Sequence, residues 1–278
     1  MTFEVAGKAL TYASVLLLVG TSTTVWLMHA ASTPTGIEAR RSLRRIGILA
    51  SVCALTGLIV RAWAHTAVAF GFAESFGSSA LSTILLASRW GYGWRWQLTG
   101  AVACLGAFVI ATPVRLTAWL APTVASIGFV VSLSTTGHAA GVPTRMAVHT
   151  AHVVGAGLWL GTLATLMITP FAFGPNARAQ LFRAFSAVAF TGAGVLGLTG
   201  LIASGMYVDS LSALWTSSYG RVLLGKLGLV IATAGCGWVN WRAIRSGEHE
   251  PGRAGRIELL LALSIVAATA LLTELQHP

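Results

Sequence analysis

Long apolar stretches recur along the whole chain, separated by short polar or proline-bearing connections. A helix needs about 20 apolar residues to cross a hydrocarbon core of roughly 30 Å. The pattern predicts crossing helices over about 9–30, 46–65, 94–112, 116–136, 147–169, 183–206, 221–241 and 256–275. Pro34, Pro113, Pro143, Pro170, Pro175 and Pro251 fall in or beside the intervening connections, where helix breakers belong. Segment 66–92 is too polar to cross, with Glu74, Arg89 and many Gly and Ser, and a short surface helix is expected around Leu81–Ala87. The fold class expected is all-α, a polytopic transmembrane bundle of about eight spans.

The chain also reads as two parallel four-helix halves, residues 1–136 and 137–278. Trp90–Gln97 before the third helix and Ser218–Lys226 at the start of the seventh are both aromatic-Gly-basic openings to an apolar helix. Four helices return the chain to the same side, so such repeats are parallel rather than inverted.

Composition sharpens the membrane reading. Charged residues make up only 9% of the 278 residues, against roughly 25% in an ordinary soluble domain. The net charge of +10 would suggest nucleic acid in a soluble protein, but the basic residues sit in short connections and form no patch interleaved with aromatics. Nucleic-acid binding is therefore excluded, and the partner expected is the lipid bilayer. Eleven of the eighteen basic residues fall in the odd-numbered connections, among them Arg40, Arg41, Arg44, Arg45, Arg242, Arg245, Arg253 and Arg256. The positive-inside rule puts those connections in the cytoplasm and both termini outside. Trp63, Trp90, Trp94, Trp96 and Trp215 then mark an outer belt, and Trp26, Trp119, Trp238 and Trp241 an inner one. Lys8 alone is too weak a positive region for a secretory leader, and the run Ala9–Ala30 is too long for its core, so it reads as a retained helix.

No GxSxG, HExxH or P-loop appears. No carboxylate is expected at mid-membrane depth, which argues against an Asp- or Glu-based proton relay. Cys53, Cys104 and Cys236 are far apart and read as packing residues. Histidine is what remains. His65, His138, His149, His152 and His277 fall on the outer side, and His29 and His249 on the inner. His149 and His152, three residues apart, share a helix face. An imidazole pair binds copper, zinc, iron or nickel, and Met146 and Met206 are thioether candidates for Cu(I). Asp209 and Glu74 are carboxylates able to fix a ligand imidazole, and Asp209 is also a partner for Lys226 unless that lysine snorkels outward. The alternative is that these histidines are interfacial side chains satisfied by water or carbonyls. Gly157 and Gly161 form a GxxxG for close helix contact. Glu258 is expected to pair with Arg242 or Arg256.

The sequence resembles the copper resistance protein D family. The resemblance rests on Gly137-His138-Ala139, His149, His152, Leu158-Trp159-Leu160-Gly161, Phe182-Arg183-Ala184-Phe185-Ser186, Thr199-Gly200, Tyr219-Gly220-Arg221, Lys226 and Glu258. It covers most of the chain and is best in the second half. It implies copper handling in the bacterial cytoplasmic membrane, by uptake or transfer, with His138, His149 and His152 as outer-side site residues and Trp159 and Gly161 packing around them. Members often carry a histidine in the first helix near the position of Tyr12, which here cannot serve as a soft ligand. No Met- or His-rich outer domain is visible, so capture would call on a periplasmic or extracellular copper-binding protein or on a low-affinity route.

Three functions compete. The first is copper transport or transfer through His138, His149 and His152, with Met146 or Met206 assisting. The second is a membrane protein holding haem b between His65 and His149 or His152 and passing electrons, to copper or the quinone pool. The third is a non-catalytic assembly partner of a membrane complex.

Overall fold

A computed structural model of the chain describes residues 2–32, 36–169, 172–208, 210–246 and 253–275. Among these residues there is helix and no strand. Eight long helices form one bundle: α1 (Thr2–Ala30), α2 (Ile37–Phe70), α3 (Arg89–Ile110), α4 (Leu120–Leu133), α5 (Pro143–Ile168), α6 (Pro175–Tyr207), α7 (Ser218–Arg245) and α8 (Arg253–Leu272). Seven, counting α4 with the 3-10 turn Leu116–Trp119 before it, are long and apolar enough to cross a membrane. The eighth, α3, has 22 residues, about 33 Å of helix. Its Trp94 indole donates to the Leu58 carbonyl (2.9 Å) near the end of α2, and Arg44 near the start of α2 donates to the carbonyls of Phe108 and Val109 (3.2 and 2.7 Å) near the end of α3. Thus α3 runs antiparallel beside α2 and covers the same depth.

Helix α1 is the most buried span and α7 the least. Chain order fixes two ends. At one end Arg40 reaches the Pro113 and Val114 carbonyls (both 3.2 Å), and Gln180 at the start of α6 donates to Ala31 at the end of α1 (2.6 Å). The starts of α2, α6 and α8 and the end of α7 meet this arginine-rich end. The opposite end carries Glu4, His65, the start of α5 and the end of α6, and is called the histidine-bearing end.

The helices outrun the hydrophobic pattern. α2 begins at Ile37 rather than near 46, because Arg40 finds carbonyl partners on the α3–α4 connection and Arg44 at the end of α3, and both so belong to the helix. It ends at Phe70, where Gly71 takes φ 87° and stops it. The short helix expected in 66–92 begins at Ser78 and runs to Ala87. Two of the belt tryptophans are core instead: Trp119 is wholly buried and Trp94 nearly so.

The helix crossings use bare backbone where the sequence supplies glycine. A Cβ on Gly161 would overlap the Leu16 carbonyl, and one on Gly20 would overlap Gly161, so α1 and α5 touch backbone to backbone. Here α5 makes a π-turn, Gly157–Gly161, a local widening that often accompanies functional sites. α3 and α7 also start alike. Ser88 and Ser217 cap them by accepting from the amides of Gly91 and Gly220 (2.8 and 2.9 Å), and each of those glycines packs on carbonyls of the short helix before it.

Candidate functional site

His149 and His152 stand near the start of α5, where Pro143 at the first position sets the helix direction. Three residues apart, they point to neighbouring sectors and reach different helices. The Nε2 of His149 lies 3.4 Å from the Tyr12 hydroxyl on α1, and its Nδ1, shielded from solvent, has no hydrogen-bond partner among the described residues. The Nδ1 of His152 lies 3.0 Å from Thr199 Oγ1 on α6. The Thr199 hydroxyl donates to the Val195 carbonyl (2.6 Å), so its oxygen accepts from His152 Nδ1–H. That fixes the tautomer and leaves Nε2 with its lone pair, the arrangement by which ligating histidines are oriented. Gly200 adds no side chain against the ring: a Cβ there would sit 3.5 Å from His152 Cε1.

Lys226, half-buried on α7, lies within electrostatic reach of both imidazoles. Among the described residues it has no hydrogen-bond or ion-pair partner; Asp209 lies outside them. Met146 is three residues before His149 and so on its face. Arg145 sits over the Tyr207 ring at 5.5 Å, which brings Met146 and Met206, each one residue from that contact, to adjoining helix ends above the histidine pair. His138 lies in the 3-10 turn Gly137–Ala139 between α4 and α5, where Gly137 takes φ 76°. Its side chain is outside the described part of the structure, as are His249 and His277. Among the described residues no three His, Cys, Asp or Glu side chains gather to hold a metal. A metal on the His149–His152 pair would draw its further ligands from Tyr12, a thioether or His138.

His65 is placed elsewhere. Its ring stacks on Trp90 at 4.1 Å with planes 10° apart, and its Nδ1 lies 3.3 Å from Glu4 Oε1. The neighbouring Arg61, 4% exposed, donates to Gln97 Oε1 (2.8 Å), and Gln97 donates to Thr136 (2.8 Å). Both His65 and His149 lean on α1, at Glu4 and Tyr12, eight residues or about 12 Å apart along it.

Sequence reasoning discounted Tyr12, overlooked Glu4, and gave Thr199 no role beyond packing. It also misplaced Glu258. That side chain, 2% exposed, accepts from the Trp159 indole (3.2 Å) and the Asn240 amide (2.7 Å), not from Arg242 or Arg256, which are exposed. A buried carboxylate therefore stands in the first turns of the last span, without the arginine partner expected for it. The signal available was periodic: Lys226, Thr233 and Asn240 repeat every seven residues on one face of α7.

Residues 179–273 match the family described as Copper resistance protein D. Over 168 residues the chain is 26% identical to the copper transport protein CutJ of Bacillus subtilis (strain 168), a match covering 58% of this chain and 31% of that protein. The chain thus matches about a third of the length of that curated relative. No solved structure matches it.

Proposed function

We propose that this chain, a copper-related multi-pass membrane protein whose residues 179–273 match the copper resistance protein D family, takes up or transfers copper through the His149–His152 site. The observation that carries this reading is the pair itself: His152 held by Thr199 with Nε2 free, beside His149 with an unpartnered ring nitrogen. Met146, Met206 and His138 complete the ligand set. Lys226 favours the singly charged ion, since its repulsion doubles for a divalent one, and thioether ligands favour Cu(I) as well.

In this reading the arginine-rich end faces the cytoplasm of a bacterium and both termini face outward. The histidine site then receives copper from the extracytoplasmic side, handed over by a copper-binding protein. The like starts of α3 and α7 support taking 1–136 and 137–278 as two parallel units, with Gln97 in the register of Lys226, nine residues after each capping serine.

The test is the purified protein in liposomes, with bound copper counted, Cu(I) influx followed and the visible spectrum recorded. Bound copper and influx are expected, without a Soret band; a Soret band with no bound copper would overturn the reading. Thr199→Val removes the acceptor that orients His152 while keeping the shape of the side chain. Copper affinity is expected to fall about 10- to 100-fold, read by competition with a chelator. Tyr12→His places a third imidazole against His149, and affinity is expected to rise about tenfold, some 1.4 kcal/mol.

A further inference from the structure

We propose that Glu258 is a proton-exchange site that releases its proton as copper passes from the histidine pair toward the arginine-rich end. The proton site stands on its own geometry; the exchange with copper rests on the copper-transfer reading.

Glu258 lies about one and a half turns into α8 from the arginine-rich end, with its two oxygens accepting from two neutral donors, Trp159 and Asn240. Gly237 on α7 keeps that space open: an added Cβ would stand 3.1 Å from Oε1. No cation faces it. On α8, Arg253 and Arg256 are exposed. On α7, Arg242 is exposed and Arg245 lies over the Trp241 ring at 4.9 Å. α5 offers Trp159, and α1 has no charged side chain between Lys8 and His29. Among the described residues, ion pairs join only Lys8 to Glu274, Arg41 to Glu38 and His65 to Glu4. A carboxylate inside a membrane bundle with no counter-charge is expensive, and either a proton or a passing cation relieves that cost.

The histidine pair lies on the same helix as Trp159. His152 and Trp159 are seven residues apart on α5, about 10 Å along it. Lys226, Thr233 and Asn240 follow at the same interval on α7, and Thr233 is wholly buried. Two imidazoles and an ammonium therefore stand toward the histidine-bearing end and a carboxyl group toward the other. The Lys226 ammonium disfavours a cation beside the histidines, and Glu258, once deprotonated, offers it a counter-charge. When Cu(I) arrives, the Glu258 O–H bond breaks and the proton leaves to water at the arginine-rich end. The carboxylate then balances the single charge of copper, and neither partner changes oxidation state.

The experiment uses the full chain in liposomes, comparing wild type with Glu258→Gln and Trp159→Phe. Infrared difference spectra across pH read protonated carboxyl groups, and a trapped pH dye reads proton release on Cu(I) addition. Wild type is expected to show a carboxyl band that fades as copper is added, with a proton released for each copper. Glu258→Gln is expected to lose both the band and the proton release. Trp159→Phe, which removes one donor and leaves the acid, is expected to shift the band without abolishing it. Proton release that persists undiminished in Glu258→Gln overturns the proposal, as does copper binding by wild type without proton release. If wild type binds no copper, the copper-transfer reading fails and the infrared band alone decides. A band missing from Glu258→Gln then keeps the proton site, and a wild type without the band overturns it.

Discussion

Alanine at both His149 and His152 is expected to weaken Cu(I) binding by more than about 100-fold, beyond the 10- to 100-fold loss typical of removing a residue that only orients a ligand. The double variant removes the only two described imidazoles that share a face near Met146. What remains, thioethers beside the Lys226 ammonium, has no nitrogen donor to hold the ion against that repulsion. The fold should survive. His149 makes one long hydrogen bond to Tyr12 and His152 one to Thr199, each contributing about 1 kcal/mol or less in net terms. His65→Ala is the matched control, because that ring is engaged by Trp90 and Glu4 and stands apart from the pair. Copper affinity should be unchanged in it. Chelator competition on the three proteins, with thermal unfolding to confirm that each is folded, decides the matter. A double variant that binds copper like the parent, or a His65 variant that loses it, would remove the pair from the mechanism.

The spans were legible because lipid imposes one rule on every crossing segment, a long run of apolar side chains. Where that rule stops, so did the sequence reading. Arg40 and Arg44 count against a helix on hydropathy, yet their guanidinium groups reach carbonyls left over at the end of α3, and α2 begins before them. The π-turn at Gly157–Gly161 leaves no mark in the sequence beyond glycines that also read as a simple contact motif. His149 and His152 were legible because a three-residue interval fixes a shared face whatever packs on it. Their partners were not, since Tyr12 lies 137 residues away from His149 and Thr199 lies 47 from His152. Glu258 was misjudged for the same reason. Arg242 and Arg256 are near in sequence, but its position on α8 turns it toward Trp159, 99 residues away on another helix.

Gly161→Ala tests the contact on which that site depends, and its expected cost is more than about 3 kcal/mol, above the usual range for overpacking. The new methyl would meet the Leu16 carbonyl, which is backbone and cannot turn aside as a flexible side chain can. α1 must then move away from α5, carrying Tyr12 from His149 and opening the crossing where Gly20 meets Gly161. Copper affinity should therefore fall together with stability in this variant, whereas the histidine substitutions separate the two. Gly128→Ala in α4 supplies the opposite sign. A Cβ there meets nothing within 4 Å, and alanine is favoured over glycine in a helix interior by roughly 0.5–1 kcal/mol. The same chemical change should thus raise the unfolding midpoint at position 128 and lower it at position 161, measured in one detergent. Equal midpoints would mean that α1 and α5 do not meet backbone to backbone, and the placement of Tyr12 against His149 would lose its support.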